Sequence, residues 1–277
     1  MKTVAFQGVP GAYSEMAALK FFGSAIRLKP CKDFPAVFRA LSRGTVRHAV
    51  IPIENSLAGS IHQNYDLLMK HRVWIHGEHK LRVSHNLLVL PGTKKSDIRR
   101  VYSHPQALAQ CEGYLRRMKK VEPVPHFDTA GSARFLSETR EAGAAAIASE
   151  QAARDYGLKI LQSSIEDNEQ NFTRFLVLEK AGGRAPRRVR GKSYKTSIAF
   201  ALRNIPGCLH KCLSVFAIRD IDLFKIESRP MAGTPWKYIF YLDFCGDVRD
   251  EAPARALEHL QEITEYYKLL GSYPESG

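Results

Sequence analysis

The stretch KTVAFQGVPGAYSEMAALKFF, residues 2–22, sets the fold class because it predicts a strand, a tight turn and a helix in succession. Lys2–Gln7 fits a buried strand, and Ser14–Phe22 fits a helix that its first residue caps. The order then recurs, since Asp33 caps a second predicted helix before the apolar strand Val46–Ile53. Repeated strand-loop-helix units predict an α/β fold with mostly parallel strands.

The turn Gly8–Ser14 allows two interpretations. It has neither the GK[ST] ending of a phosphate loop nor the GxGxxG spacing of a dinucleotide site. It is either a tight structural connection or an anion site made of helix N-terminal amides and the hydroxyls of Tyr13 and Ser14. Ligands of such sheets bind at the carboxyl ends of strands, where Glu54-Asn55-Ser56 also falls.

The α/β pattern continues to about residue 175. The predicted strands are His85–Leu90, Ile98–Ser103, Ala144–Ala148 and Asn171–Glu179, and the predicted helices are Gln106–Met118, one from Asp128 and one from Glu150. We expect two lobes, about 1–78 with a return segment and about 80–175, with the ligand pocket between them.

Charge divides the chain unevenly. The 277 residues carry 41 Lys+Arg against 28 Asp+Glu, a formal charge of +13. Residues 181–195, AGGRAPRRVRGKSYK, hold six basic and no acidic residues and predict a solvated linker. Such a charge also raises the hypothesis of a nucleic-acid binder, but no named motif or interleaved aromatic pattern supports it. We therefore expect no nucleic-acid partner.

Other classes are disfavoured by composition. No stretch is apolar enough to span a membrane, and the N-terminus has no signal peptide, so we expect no membrane partner. Five cysteines without a CxxC pair fit a reducing compartment, and we expect a cytoplasmic protein. The histidines at 71, 76, 79 and 85 lack metal-ligand spacing, so no metal site is expected.

Residues 196–277 predict a separate small module. The predicted elements are strand Thr196–Leu202, a helix from Pro206 to about Arg219, strands Phe224–Pro230 and Lys237–Phe244, helix Ala254–Leu270 and a short strand near Ser272. This order is the ferredoxin-like βαββαβ arrangement. No catalytic group stands out, so the segment fits a regulatory or pairing module.

Two residues have both a functional and a structural interpretation. Arg174, in Asn171-Phe172-Thr173-Arg174-Phe175, is either a carboxylate clamp or the partner of an acid such as Glu54. His104 follows a predicted strand directly before a helix, where functional side chains often lie, but it could equally be structural.

Six separated motifs, followed by two in the C-terminal module, resemble the prephenate dehydratase family and its close relative arogenate dehydratase. They are GVPGAYSE (8–15), PIENSLAGSIHQNY (52–65), SHPQAL (103–108), DTAGSA (128–133), AIASE (146–150), NFTRF (171–175), PGCL (206–209) and KIESRP (225–230), with GSYP (271–274) at the end. The resemblance implies a two-lobed catalytic domain like a type II periplasmic binding protein at 1–180, a basic linker at 181–195 and an ACT regulatory domain at 196–277.

The resemblance also implies a reaction. A carbon-oxygen lyase would convert prephenate to phenylpyruvate, water and carbon dioxide in L-phenylalanine biosynthesis, without cofactor or metal, with arogenate as the alternative substrate. The implied catalytic residues are Thr173, Arg174 and Phe175, with the Thr173 hydroxyl as an oriented hydrogen-bond donor. The implied substrate-binding residues are Tyr13, Ser14, Asn55, Ser56, His104, Gln106, Thr129 and Ser132.

For the C-terminal module, the resemblance implies feedback by phenylalanine at the interface of a homodimer or homotetramer. The implied effector residues are Asn204, Pro206, Gly207, Cys208, Leu209, Glu227, Ser228 and Arg229. A noncatalytic amino-acid sensor of the same architecture is the competing hypothesis, and the intact Thr173-Arg174-Phe175 favours the enzyme.

Overall fold

The computed structural model describes residues 1–182, 188–203, 205–231, 233–234 and 236–276. It forms two compact units. The first comprises Met1–His71 and His79–Val177, and the second comprises Arg72–Glu78 and Leu178–Gly277. Neither unit is one continuous stretch of chain.

The strands of the described residues, in chain order, are β1 (Lys2–Gln7), β2 (Ile26–Cys31), β3 (His48–Asn55), β4 (Gly59–Ser60), β5 (Val73–Arg82), β6 (Asn86–Val89), β7 (Arg100–Ser103), β8 (Glu122–Pro125), β9 (Ala144–Ala148), β10 (Lys159–Gln162), β11 (Phe172–Lys180), β12 (Tyr194–Ala201), β13 (Leu223–Pro230), β14 (Tyr238–Cys245) and β15 (Tyr266–Pro274). The helices are α1 (Tyr13–Phe22), α2 (Phe34–Ser42), α3 (His62–Lys70), α4 (Pro105–Gln110), α5 (Glu112–Arg117), α6 (Thr129–Thr139), α7 (Glu150–Asp155), α8 (Cys208–Ala217) and α9 (Glu251–Ile263).

Two mixed sheets carry the α/β part. One has the order β2-β1-β3-β11-β5, with β4 on β3, and the other has the order β10-β6-β9-β7-β8. β1 runs parallel to β2 and β3, and β7 runs parallel to β8 and β9, whereas β6 is antiparallel to both neighbours. The return of β11 to the first sheet produces two lobes, and the predicted two-lobed α/β class is confirmed.

A third sheet has the order β13-β14-β12-β15, with α8 and α9 packed on one face. The core beneath these helices includes Phe200, Phe216, Phe244 and Leu260. Along the chain the elements follow the order βαββαβ. This is the ferredoxin-like, ACT-like arrangement that the sequence predicted.

Two predicted helices differ from the structure. The helix expected at Gln106–Met118 breaks at Cys111, whose backbone leaves the helical region, and the Asp167 carboxylate accepts the Gly113 N–H at 2.9 Å in the second piece. The helix expected to run to Leu270 ends at Ile263. Tyr267 and Leu269 instead alternate toward the core from β15, so a period of two prevails over the helical period.

The linker predicted at 181–195 ends before residue 194, earlier than expected. Tyr194 and Lys195 lie on β12, and residues 183–187 lie outside the described part of the chain. The Lys195 ammonium is 2.9 Å from the Glu78 carboxylate, with side chains 5% and 0% exposed. The backbone N–H of Ser276 also donates to Glu78 at 3.2 Å. A buried ion pair therefore joins three segments of the second unit.

The glycine turn before α1 is held by contacts with α7. An added Cβ on Gly11, whose φ is +84°, would lie 2.7 Å from the Ala152 Cα. The Ser149 hydroxyl donates to the Gly11 carbonyl at 2.6 Å, and the Tyr156 hydroxyl donates to the Pro10 carbonyl at 3.0 Å. The turn therefore needs glycine both for its backbone conformation and for its close approach to α7.

We predict that Gly11→Ala lowers the free energy of unfolding by about 3 kcal/mol, because a left-handed backbone and a backbone clash act together. Gly157→Ala is the control, since Gly157 also has a positive φ, +64°, but an added Cβ meets open space. That variant should lose only about 1 kcal/mol. Urea unfolding measures both values, and equal losses would contradict the close approach.

Candidate functional site

A pocket of about 290 Å³ opens in the first unit and is lined from both of its sheets. The turn before α1, the end of β3 and the start of β11 line it, together with the starts of α4 and α6. The residues that line it include Gly8, Ala12, Tyr13, Ser14, Asn55, Ser60, Val83, His85, His104, Gln106, Gln110, Asp128, Thr129, Thr173 and Phe175.

Eight residues that the sequence proposed for the site line this pocket, namely Tyr13, Ser14, Asn55, His104, Gln106, Thr129, Thr173 and Phe175. Ser56, Ser132 and Arg174 do not. The Ser56 hydroxyl donates to the Gln170 carbonyl at 2.7 Å and accepts the Phe172 N–H, so it fixes the start of β11. The Ser132 hydroxyl donates to the Asp128 carbonyl at 2.7 Å inside α6.

Arg174 is placed as an ion-pair partner. Its Nη1 lies 3.0 Å from Oε1 of Glu54, and its side chain is only 8% exposed. Adjacent residues of a strand point to opposite faces, so Arg174 points away from the face that Thr173 and Phe175 present to the pocket. The structure therefore shows the second of the two interpretations, the ion pair with Glu54. Among the described lining residues there is no lysine or arginine.

The glycine turn differs from the anion site considered above. The Gly11 N–H donates to the Glu15 carboxylate at 2.5 Å, and the Tyr13 hydroxyl donates to the Ser84 carbonyl at 2.6 Å. Burial raises the pKa of Tyr13, so the hydroxyl stays protonated. The N-cap of α1 is Ala12, not Ser14 as expected, and it makes no side-chain cap hydrogen bond. What remains for an anion is the first turn of α1, which faces the pocket.

His104 is the N-cap of α4. Its Nδ1 accepts the Gln106 N–H at 3.2 Å, so a neutral ring carries its proton on Nε2. Burial lowers the pKa of His104, and the nearby Asp128 carboxylate opposes that shift. His104 is thus a neutral N–H donor at the pocket. Asp128, which the sequence did not indicate as a site residue, caps α6 through the Gly131 N–H.

Thr173 is oriented by Asn55. The Asn55 Oδ1 accepts the backbone N–H groups of Leu57 and Ala58 at 3.1 and 2.9 Å. The amide nitrogen must therefore face the other way, where it donates to the Thr173 Oγ1 at 3.0 Å and the Phe172 carbonyl at 3.1 Å. The Thr173 oxygen is an acceptor in this contact, so its own O–H is available to a ligand in the pocket.

Two further polar lining residues, His85 and Gln110, were also missed. Gln110 follows Gln106 by four residues, so the predicted helix would have placed both on one face. His85, for which the sequence suggested only the absence of metal-ligand spacing, is 2% exposed, and its Nε2 lies 2.9 Å from the Gln110 Oε1. No local signal indicated that contact, because its partner is 25 residues away.

Within the described ranges, no helix is long and apolar enough to cross a membrane. The same part of the chain contains no group of three or more His, Cys, Asp or Glu side chains arranged to hold a metal ion.

The family model "Prephenate dehydratase" matches residues 4–182. The chain belongs to the prephenate dehydratase family. A relative from Arabidopsis thaliana, named arogenate dehydratase/prephenate dehydratase 2, chloroplastic, is 47% identical over 98% of this chain and 72% of its own length. The family is therefore one of dehydratase lyases that act on prephenate or arogenate, and this function of the chain is supported by sequence throughout its length.

Two solved structures are similar to the chain over nearly its full length. One that is named "GqqA- a novel type of quorum quenching acylases" has a TM-score of 0.91 at 35% identity and covers 99% of this chain and 98% of its own. Prephenate dehydratase from Arthrobacter aurescens, solved with L-Phe, has a TM-score of 0.89 at 32% identity over 98% of this chain and 89% of its own. The expectation of a cytoplasmic protein is wrong, since similar Arabidopsis relatives are chloroplastic.

The residues proposed for an effector lie at one end of the third sheet. Pro206 and Gly207 precede α8, Cys208 and Leu209 begin it, and Asn204 lies outside the described residues. Ala201, at the end of β12, shares a row with Ile239 and Arg229, so the loop after β12 and the end of β13 lie roughly 10 Å apart.

Ser228, Glu227 and Arg229 do not share a face of that sheet. Ser228 pairs with Phe240 on the side that α8 and α9 cover, and its two neighbours on β13 point to the opposite side. Only Ser228 is therefore on the same side of the sheet as Leu209.

We predict that Glu54→Gln lowers the free energy of unfolding by about 2–3 kcal/mol, because it takes the Glu54 carboxylate away from the buried Arg174 guanidinium. Glu112→Gln is the control, since Glu112 and Arg116 form an exposed pair at 2.7 Å. That variant should lose less than about 0.5 kcal/mol. If both variants unfold at the same urea concentration, the Arg174 pair has no structural role.

Proposed function

We propose that the pocket catalyses the decarboxylating dehydration of prephenate to phenylpyruvate, or of arogenate to phenylalanine, with Thr173 as the donor to the leaving hydroxyl. The observation that carries this proposal is the hydrogen bond from Asn55 to the Thr173 oxygen, which leaves the hydroxyl hydrogen for a ligand. Family membership supports the substrate pair.

The chemistry needs few groups. The ring C–O bond breaks with its electron pair going to oxygen, while the bond to the ring carboxylate breaks and returns a pair to the ring. Carbon dioxide and water leave, and the net reaction takes up one proton. Aromatisation supplies the driving force, so the demand on the protein is to stabilise charge on the departing oxygen. Thr173 is a poor acid, and its role is that of an oriented hydrogen-bond donor.

Neutral donors bind the anionic substrate in this proposal. The first turn of α1 contributes unpaired N–H groups and the positive end of a ten-residue helix. The His104 Nε2–H and the hydroxyls of Ser14 and Thr129 add hydrogen-bond donors around the same pocket. The ring of Phe175 lines the same space and excludes water from the reacting carbons.

Hydrolysis of an acyl group, the activity for which one similar structure is named, fits this site less well. A threonine nucleophile needs a neighbouring base to take its proton. The Thr173 oxygen instead faces an amide N–H donor, which cannot accept that proton. This polarity supports Thr173 as a donor to a leaving group.

We further propose that residues 1–180 form the dehydratase domain, 181–193 the connector and 194–277 a regulatory domain that binds L-phenylalanine and pairs in a dimer or tetramer. The L-Phe complex of the Arthrobacter aurescens protein supports the effector. Supporting geometry comes from the loop after β12 and the end of β13, which share one end of the third sheet.

Parallel assays of prephenate and arogenate with wild type, Thr173→Val and Thr173→Ser test the reaction. Valine keeps the shape without a donor and should lower kcat by about 100-fold or more. Serine keeps the hydroxyl and should stay within about tenfold of wild type. If valine retains near-normal kcat, Thr173 has no part in the mechanism. The ratio of kcat/KM for prephenate to kcat/KM for arogenate in wild type identifies the preferred substrate.

Calorimetric titration with L-phenylalanine tests the regulatory proposal. Wild type should bind it, and bound effector should change substrate affinity by about 5–150-fold, the range of ordinary allosteric coupling. Thr173→Val is the control and should bind L-phenylalanine as wild type does, because Thr173 belongs to the first unit. Absence of both binding heat and any rate change would contradict the proposal.

A further inference from the structure

A chain of hydrogen bonds continues from Asn55 to the opposite side of the pocket. Because the Asn55 nitrogen lies 2.7 Å from the Asn171 Oδ1, the Asn171 nitrogen faces away from it. That nitrogen donates to the Gln110 Oε1 at 3.1 Å. The same Gln110 oxygen lies 2.9 Å from the His85 Nε2. Four buried or half-buried polar side chains are thus connected in series.

The Asn55 end of this hydrogen-bond series determines which group donates in each of its bonds. Backbone N–H groups cannot act as acceptors, so the bonds from Leu57 and Ala58 fix which atom of the Asn55 carboxamide is oxygen. Each later amide must then present oxygen toward its donor. The last oxygen, that of Gln110, meets His85, so the His85 Nε2 must carry a hydrogen.

His85 is held so that it can meet this requirement. Its backbone N–H donates to the Glu166 carboxylate at 2.9 Å, and its carbonyl accepts the Ile165 N–H at 2.8 Å. Its Nδ1 lies 3.1 Å from the Tyr13 hydroxyl, which can share its hydrogen between Nδ1 and the Ser84 carbonyl. Burial lowers the pKa of His85, which favours the neutral ring, and the Gln110 oxygen beside Nε2 then places the single hydrogen there.

The hydrogen bonds to the Gln110 oxygen determine where the nitrogen of the same carboxamide lies. With two donors on its oxygen, the Gln110 nitrogen makes no hydrogen bond to the described residues, and Gln110 lines the pocket. Its two N–H groups therefore remain for a ligand of the pocket that Gln110 lines. In a lining without lysine or arginine among the described residues, two fixed amide donors are a substantial part of what an anionic substrate can meet.

We propose that His85 is a positioning residue for the dehydratase reaction, whose Nε2–H joins the Asn171 N–H in holding the Gln110 oxygen and so leaves the two Gln110 N–H groups for the substrate. This inference rests on the proposed function for its kinetic consequence. Without the imidazole donor, only the Asn171 N–H holds the Gln110 oxygen, so the two Gln110 N–H groups are less firmly fixed. Asn171 and Asn55 keep their polarity, because the backbone N–H groups of Leu57 and Ala58 still fix it.

His85→Gln and His85→Met are a matched pair, since both reach about as far as Nε2 but only glutamine offers an N–H there. We expect kcat/KM within about fivefold of wild type for glutamine and at least about 20-fold lower for methionine, as preorganised donors require. In a Gln110→Ala background, His85→Met should lower kcat/KM by less than about a further twofold. The proposal is overturned if His85→Gln and His85→Met lower kcat/KM equally. It is also overturned if the double variant shows the product of the losses of His85→Met and Gln110→Ala.

Nitrogen-15 spectra of histidine-labelled wild type give a readout that needs no activity. The resonances missing from His85→Gln identify His85, and we expect a neutral ring with hydrogen on Nε2 at pH 7. Hydrogen on Nδ1 alone overturns the proposal even if the kinetics agree. If wild type turns over neither prephenate nor arogenate, the proposed function fails, and the spectrum still decides whether His85 donates to Gln110.

Discussion

The polarity of the candidate site depends on two backbone N–H groups. Leu57 and Ala58 donate to one oxygen of Asn55, and that contact leaves the Asn55 nitrogen facing β11. The Thr173 oxygen, the Asn171 oxygen and the Phe172 carbonyl share the two hydrogens of that nitrogen. Because backbone donors cannot be reversed by side-chain rotation, the turn after β3 determines which atoms in the pocket can donate.

A pocket whose described lining has no lysine or arginine suits a reaction that expels both a hydroxyl and a carboxylate. A guanidinium would stabilise the ring carboxylate in the ground state, although that group must leave as carbon dioxide. Neutral donors bind a dianion less tightly, but they do not oppose the loss of charge from the carboxylate. The Arg174 side chain pairs with Glu54 and so stabilises the strand that presents Thr173. It does not line the pocket.

The sequence predicted the α/β lobes and the βαββαβ module because their strands are apolar and their helices carry recognisable caps, such as Asp33 and Asp128. It could not separate the alternatives for Arg174, since both a clamp and an ion pair require the same residue on the same strand. The predicted end of α9 was wrong because Tyr267 satisfies a helical and a strand period at once. His85 was missed because its partners, Tyr13 and Gln110, are distant in sequence.

The second unit is not a contiguous piece of the gene product. Its buried Lys195 ammonium pairs with a carboxylate on Glu78, which precedes it by 117 residues. A fragment cut at the basic connector would keep the lysine and lose the glutamate, and an unpaired ammonium in that place destabilises the fragment by several kcal/mol, on the order of its desolvation penalty. Recombination that exchanges only the C-terminal third between relatives must therefore preserve a residue outside the exchanged part.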